Sequence, residues 1–516
     1  VVRAHTGRLY AIYNMNLDNI TQYPGTGQPL PRTDVIGHFV LKYSDNLGRS
    51  WSAQRFEVPY RLTPIDMNNT WHGKVKIMWT VDHVKVSDDG ATVYFAFTKI
   101  QNYLVSPPEE IFILASTNLM TEPDASQVRW TLFPDGDHGL QPPGGSPSVV
   151  FEEGHVVPLR SGGFYLMGRT SLGYLAATFT AARSPAAGWA PTGYAQYWNN
   201  SAAPATLLPW RGLGAGLKNP RGPITPKRLS SGAYLLLFYN QQGAGFDQRD
   251  PYWLACGHEA AGQILWSQPE IALYDKYDRS GTSGGGYPDF IEDTDTGHVF
   301  ITQTQKTVAR ISQIDPTLLN GLLTQHEAAR VPVRQGMINI SAGQPQAPLP
   351  AGLGPLNPYV HLGQGAAIIL VLQRHSAALP GDVVLDWRDP HGAGLAVTVG
   401  GHGALNVSVA DDTGHATALA TTPDCTALLG TPGSHVFGAV LDAGPLILTM
   451  AVDGLLCDGG GAAASGWAWL PSLGNITGAG VARVAPTYHG TVAHAHLYPS
   501  MLYTSELVAA ARYYSF

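Results

Sequence analysis

Apolar residues recur along the chain in short runs that alternate with polar ones. Each run is closed by Gly, Pro, Asn, Asp or Ser, the pattern of β-strands joined by tight turns. From residue 1 to about 330 these runs group into repeating strand–turn–strand units, the period of a propeller. The units fall at 7–51, 84–130, 156–189, 227–270 and 288–314. The expected class is therefore all-β, with a five- or six-bladed β-propeller over 1–330. Asp315 ahead of Pro316 predicts the N-cap of a short helix over 317–329. Residues 331–350, rich in Pro, Gly and Gln, read as a linker. Beyond it, apolar runs at 366–372, 383–385, 395–399, 405–409, 436–440, 447–452 and 492–497 predict a β-sandwich of the jelly-roll kind over 351–516. A closing helix is expected from Ser505.

Composition sharpens this picture. With 59 Gly, 38 Pro and 13% charged residues, the chain is built of punctuated strands rather than helices. A net charge of −7 leaves no basic stripe, which excludes nucleic acid as the main partner. The longest apolar runs, 366–372 and 234–238, fall short of the roughly 20 residues of a membrane span. The opening at Val1 without Met, and Asn-x-Ser/Thr triplets at Asn19, Asn68, Asn199, Asn339, Asn406 and Asn475, lead to the expectation of a secreted glycoprotein whose leader was removed. Cys425 and Cys457 share one C-terminal segment and are the candidate disulfide, leaving Cys256 buried and free. No Gly-rich phosphate loop or dinucleotide fingerprint is present, so no organic cofactor is expected. Asp411 and Asp412 are candidate ligands for a structural Ca²⁺, although adjacent loop aspartates are usually only solvated.

The most informative stretch is Tyr43-Ser44-Asp45-Asn46-Leu47-Gly48-Arg49-Ser50-Trp51. Its short polar residues suit hydrogen bonds to the turn's own backbone, Gly48 suits a positive φ, and Trp51 suits the base of the hairpin. This run resembles the Asp-box of sialidase-like (BNR-repeat) β-propellers, Ser-x-Asp-x-Gly-x-x-Trp, with Asn46 in place of the Asp at the third position. Trp266-Ser267-Gln268-Pro269-Glu270-Ile271, Tyr287-Pro288-Asp289-Phe290-Ile291-Glu292 and Thr304-Gln305-Lys306 extend the likeness over 1–330. The C-terminal segment, through Asp442-Ala443-Gly444-Pro445, Val452-Asp453-Gly454 and Trp467, resembles the laminin-G or concanavalin-like jelly rolls appended to secreted glycan enzymes.

A propeller gathers its functional groups at one end of the central channel, where all blades converge. Polar residues in or beside inner strands are therefore the candidates. Arg169, Arg221 and Arg249, followed by Lys306 and Arg310, are of the kind that bind a carboxylate, since the guanidinium fork accepts it bidentately. The plainer reading pairs each arginine with a local Asp or Glu that staples adjacent blades. Asp34, His72, His83, Glu270, Asp289 and Tyr287 are the acid–base and nucleophile candidates, with Glu152-Glu153 beside them and His138 as a substrate-binding candidate. For any one of these, a satisfied loop or turn residue is the plainer alternative.

The resemblance to sialidases implies three arginines on the sugar carboxylate, a tyrosine nucleophile activated by a glutamate, and an aspartate acid/base. Arg169 and Arg221 are the plausible members of the arginine set, no Arg-Ile-Pro motif occurs near the N-terminus, and no Tyr–Glu couple is assignable from the sequence. Three functions stay open at this stage. One is a glycoside hydrolase acting on a sialic or uronic acid glycan. A second is a propeller lyase that cleaves at a uronate by β-elimination, with His72, His83 or His138 as base. The third is a non-catalytic extracellular glycan-binding or structural protein. Both enzyme readings require an anionic sugar, so an acidic glycan or polysaccharide is the expected partner.

Overall fold

The turn after the third strand shows how this chain locks its blades. Ser44 Oγ accepts the Gly48 N–H at 2.9 Å and donates to Asn46 Oδ1 at 2.9 Å, and Asn46 Oδ1 also accepts the Ser50 N–H at 2.9 Å. Gly48 sits at φ 84°, where a side chain would be strained, with the Trp51 ring beneath it. Asp45 takes no part in this network and instead pairs with Arg8 at 2.6 Å. The same chemistry recurs in the next blade, where Ser116 Oγ accepts the Leu119 N–H at 3.1 Å and Asn118 Oδ1 accepts the Arg129 N–H at 2.9 Å.

The computed structural model describes residues 1–104, 107–198, 216–220, 222–241, 249–274, 286–304, 309–327, 334, 338–341, 346–348, 365–458, 466–470, 473–474, 476, 478 and 481–514. Among them, five antiparallel sheets succeed one another over the first 313 residues. The first holds Val2–Arg3, Leu9–Met15, His38–Ser44 and Phe56–Glu57; the second holds Met78–Trp79, Lys85–Val86, Val93–Ile100, Glu109–Ser116 and Thr131–Phe133. The third comprises Phe151–Pro158, Phe164–Thr170, Leu175–Thr180 and Gly193–Tyr194. Thr225–Arg228, Tyr234–Phe238, Tyr252–Ala260, Gln263–Trp266 and Glu270–Leu273 form the fourth, and Asp289–Asp293, His298–Thr304 and Ala309–Gln313 the fifth. The architecture is a β-propeller followed by a β-sandwich. Strand Phe151–Pro158 packs on the second sheet on one side and on Thr225–Arg228 on the other, so the third blade's inner strand lies between its neighbours.

Asp315 caps helix Pro316–Thr324 through the N–H groups of Thr317 and Leu318 at 2.7 and 3.2 Å. The helix ends at Thr324, earlier than the sequence pattern suggested. Strands Ile338–Ser341 and Gln346–Pro348 lie within the stretch read as a linker, and each forms an edge of one sandwich sheet. Those sheets have seven and six strands. The run 366–372 is apolar at every position because both of its faces are covered. Ile368, Leu370 and Leu372 enter the core between the sheets, while Ala367, Ile369 and Val371 face helix Thr504–Tyr514. Cys425 and Cys457 form a disulfide, and Cys256 is free and buried.

The two units meet in a seam that is apolar at its centre and hydrogen-bonded around it. Ile447, Leu456 and Trp467 pack with Tyr197, Trp253 and Trp266 of the propeller. Gln268 Oε1 accepts the Leu456 N–H at 2.9 Å, and Asn240 O accepts Trp467 Nε1 at 3.3 Å. No helix among the described residues is long and apolar enough to cross a membrane.

Candidate functional site

The site begins with a break in a strand. Apolar run Val149-Val150-Phe151 gives way to Glu152-Glu153-Gly154 before the apolar pair Val156-Val157. The register of this strand against Phe164–Thr170 shifts between Glu152 and His155, a β-bulge. Glu153 is held at φ 52°, a conformation that costs a non-glycine residue about 1–3 kcal/mol and clusters at functional sites. Gly154 allows the bulge, since a Cβ there would stand 2.7 Å from the Ile111 side chain. The bulge sends both carboxylates towards Arg169 on the neighbouring strand. Arg169 Nη2 lies 3.1 Å from Glu152 Oε1 and 2.9 Å from Glu153 Oε1.

Glu153 Oε1 is also the acceptor for two further donors, Trp79 Nε1 at 2.8 Å and the Tyr287 hydroxyl at 2.8 Å. Its other oxygen has no hydrogen-bond partner among the described residues. Burial raises the Glu153 pKa, Arg169 opposes that rise and Glu152 adds to it. Burial likewise pushes the Tyr287 phenol up to about 12, with the Glu153 charge adding to the effect. The phenol is therefore a protonated donor whose proton points at a carboxylate able to take it. Burial works against the Arg169 charge, but Glu153 and Glu152 more than offset it and hold the guanidinium above its ordinary pKa.

Tyr287 lines a cleft of ≈ 770 Å³, with Glu153 buried behind it; Arg32, Asp34, Trp79, Glu109, Glu152, Arg169 and Arg249 are among its other walls. Arg32 pairs with Asp34 through both nitrogens of its fork and stands 5.2 Å above the Trp79 ring. Arg249 stands 5.8 Å from the centre of the Tyr287 ring. Three guanidinium groups thus converge on one opening, with a tyrosine–glutamate couple beneath them.

No protein-family model and no curated protein matches this sequence. Solved structures do. Trypanosoma rangeli sialidase in complex with the inhibitor DANA is similar at 11% identity and a TM-score of 0.34, over 99% of this chain and 92% of that one. The NanB sialidase from Streptococcus pneumoniae is 15% identical with a TM-score of 0.34, over 54% of this chain and 36% of that one. A Bombyx mori GH32 beta-fructofuranosidase is 13% identical with a TM-score of 0.30, over 95% of this chain and 88% of that one.

Of the residues singled out from the sequence, Asp34, Arg169, Arg249 and Tyr287 line the cleft. Arg221 and Lys306 lie outside the described residues, and Arg310 is on the outer strand Ala309–Gln313. His72 sits in an exposed turn at φ 52° and does not line the cleft. His138 stays largely exposed with Nδ1 3.0 Å from Glu110, whose side chain also accepts the Gly139 N–H at 2.8 Å. Glu270 is a correction: it is buried in the seam between the two units, where it accepts the Ser505 N–H at 2.9 Å. The apolar side of an outer-strand box carried it away from the channel.

His83 and Asp289 face each other at 3.7 Å and line a second pocket, whose other walls include Lys85, Lys227 and Arg228. Asp289 follows Tyr287 by two residues along the inner edge of the fifth blade, which places it farther down the channel. Burial keeps His83 at about 4 and His155 well below its ordinary value, so both imidazoles are neutral. In the sandwich, both oxygens of Asp411 are already engaged by backbone donors. Oδ1 accepts the Thr413 and His415 N–H groups at 2.9 and 2.8 Å and Oδ2 accepts the Gly474 N–H at 2.6 Å. Asn19 and Asn68 are exposed and Asn406 is half-buried; Asn199 and Asn475 lie outside the described residues, and Asn339 falls on strand Ile338–Ser341.

Arg32, Trp79, Glu109 and the role of Glu153 were not singled out by sequence reasoning. For Arg32 a signal existed in the spacing Arg32-x-Asp34, two opposite charges close enough in sequence to pair. For Trp79 no local signal distinguishes it from a core aromatic.

Proposed function

We propose that this chain is a secreted, sialidase-like glycoside hydrolase acting on the glycoside of an acidic sugar, with retention of anomeric configuration. The observation that carries the reading is the 2.8 Å hydrogen bond from Tyr287 to Glu153 within the arginine-lined cleft. An anomeric carbon that itself bears a carboxylate repels an anionic nucleophile. A neutral phenol that sheds its proton only as it attacks avoids that repulsion. Tyr287 Oη attacks the anomeric carbon while its proton passes to Glu153, whose Oε1 is fixed by Trp79 and Arg169. The bond to the leaving oxygen breaks as Asp34 protonates that oxygen; Asp34 then takes a proton from the water that attacks the anomeric carbon, and Tyr287 Oη departs as Glu153 returns its proton. Arg32, Arg169 and Arg249 hold the substrate carboxylate, the donor geometry best suited to it. The Cys425–Cys457 disulfide supports an oxidising, extracellular setting. The sandwich, of the laminin-G-like kind, braces the propeller or binds a further part of the glycan.

One observation favours a non-catalytic glycan binder instead: Arg32 and Arg169 are already paired, with Asp34 and with Glu152 and Glu153. The lyase reading places an imidazole beside the arginines, and no histidine lines the cleft among the described residues. Incubation with a fluorogenic sialoside, a fluorogenic glucuronide and a uronate polysaccharide separates the readings. Release of the free sugar acid by wild type, with loss in Tyr287→Phe and Glu153→Gln, is the expected result. An ultraviolet-absorbing unsaturated uronate would establish elimination, and saturable binding without any product would establish the binder.

A further inference from the structure

We propose that the channel beneath the cleft holds a divalent transition-metal ion of the zinc class, ligated by Asp82, His83 and His155. These residues offer one carboxylate oxygen and two imidazole nitrogens that all lie within 4.8 Å of one another. His155 Nδ1 is 3.0 Å from Asp82 Oδ1, close to the separation of about 3.3 Å that bonds of 2.0–2.1 Å impose in a tetrahedral zinc site.

The satisfaction of these atoms points the same way. The Asp82 side chain is fully enclosed and that of His155 is 2% exposed. The two approach without hydrogen-bond alignment, and the oxygen is shared with the Lys85 ammonium instead of being held by an aligned donor. Buried polar atoms in a finished structure are rarely left so. Asp82 Oδ2 is fixed by the Ala96 N–H at 2.7 Å and the Val156 N–H at 3.3 Å, which holds Oδ1 towards the histidines. Asp289, 3.7 Å from His83 Nδ1, supplies the carboxylate that commonly backs a ligating imidazole. Two imidazoles and one carboxylate suit zinc, whereas calcium and magnesium take sets of oxygen ligands.

Lys85 Nζ touches Asp82 Oδ1 and competes for that oxygen. It adjoins a pocket of ≈ 600 Å³ at the far mouth of the channel, which has room for the side chain to swing aside and for water at the fourth position. The ion would tie the strand leading into Lys85–Val86 of the second blade to Phe151–Pro158 of the third. The latter strand carries Glu153 two residues before His155, so the ion acts as a clasp on the bulge and not as a reagent.

The test uses the full chain, dialysed against chelator and then titrated with Zn²⁺ by calorimetry and with Co²⁺ by visible absorption. One ion per chain is expected, with the intense Co²⁺ bands of a four-coordinate site, both lost in His83→Gln and His155→Gln. Lys85→Met removes the competing charge and is expected to bind Zn²⁺ about tenfold more tightly. That variant should also melt earlier than wild type without metal and recover with it. The absence of stoichiometric binding in both wild type and Lys85→Met would overturn the proposal. So would binding undiminished in His83→Gln, which is partly exposed and decides the matter should His155→Gln fail to fold.

Discussion

The propeller and the sandwich both bury charged and polar side chains, but they treat them differently. In the sandwich such groups lie near strand ends and most are hydrogen-bonded. Asp382 accepts the Leu379 and His489 N–H groups at 2.9 and 3.0 Å, and His435 lies 2.9 Å from Asp453 and 2.8 Å from the Thr431 carbonyl. Between them lies a continuous apolar core running from Ile368 to Leu497. In the propeller the polar groups crowd around the channel, Arg169 with Glu152 and Glu153 and Asp82 with Lys85 and His155, and Glu153 Oε2 keeps no hydrogen-bond partner. Satisfied polar burial braces a fold, while unsatisfied burial costs stability and persists where a ligand or a reaction uses it. Chemistry is therefore to be sought around the propeller channel, with the sandwich as support.

The largest effect should come from the cleft itself. Tyr287→Phe or Glu153→Gln is expected to lower kcat/KM for an acidic-sugar glycoside by about 10³-fold or more, with the folded structure kept. Because burial raises the Glu153 pKa, and the base must be ionised, the acid limb of the kcat/KM profile should lie above the ordinary range of a glutamate. A profile flat down to pH 4, roughly the unperturbed value, would remove Glu153 from the mechanism and blur the difference between the two units.

A second test asks whether burial of charge is the weaker construction. Lys99 and Asp66 are both buried in the propeller and 2.6 Å apart. Burial brings the Lys99 ammonium down to about 8 against the pull of Asp66. Asp66→Ala leaves that ammonium unpaired and should cost about 3–5 kcal/mol in chemical denaturation. Phe437→Ala, a cavity in the sandwich core, should cost a similar 3–5 kcal/mol. The units separate on the double replacement: Lys99→Met with Asp66→Leu should regain most of the loss, since a well-packed apolar pair often replaces a buried ion pair without harm. Failure to regain it would show that the bonds Asp66 accepts from the Thr63 N–H and hydroxyl, at 2.9 and 3.0 Å, matter more than the ion pair.

Much of the fold was legible because β-sheet patterning is local. The period-two runs, the turn at 44–51 and the Asp315 cap each depend on residues close in sequence. The site was legible in pieces only. Tyr287, Arg169, Arg249 and Asp34 stood out as polar residues beside inner strands, but Glu153 and Tyr287 lie 134 residues apart, on the third and fifth blades. Closure of the ring brings them together, and no periodicity encodes that contact. The break Glu152-Glu153-Gly154 in an apolar strand was the local trace of the bulge. Glu270 misled for the complementary reason: a carboxylate at a strand start looks the same whether the strand borders a channel or a second domain.

The seam between the units gives a smaller, pH-dependent effect. Burial raises Glu270 to about 7 from its ordinary 4.5, and raises Asp442 to about 6 from 3.8. Below the ordinary values both groups are protonated in the folded and unfolded chain alike, and the seam carries no penalty. As pH rises through 4.5 and on to about 7 the unfolded chain releases the Glu270 proton first, so stability falls across that window. The loss for Glu270 is on the order of 3 kcal/mol. Glu270→Gln should flatten the pH dependence of the unfolding midpoint between these limits. An unchanged slope would mean that water reaches the seam.

The smallest effect concerns the turn that first marked the propeller. Asn46 Oδ1 holds the Ser50 N–H and the Ser44 hydroxyl, each at 2.9 Å, and Asn46 Nδ2 donates to Ser50 Oγ at 2.7 Å. These bonds are partly open to water, which replaces much of each when the side chain is removed. Asn46→Ala should therefore cost about 1–2 kcal/mol, and Asn46→Asp, which keeps the acceptor, well under half of that. The turn lies at the outer edge of the first blade, after strand His38–Ser44, and has no contact with the cleft residues, so kcat/KM should not move. An Asn46→Ala variant that lost activity while keeping its stability would couple the rim of the blade to its channel, and the division of labour would then run through the propeller itself.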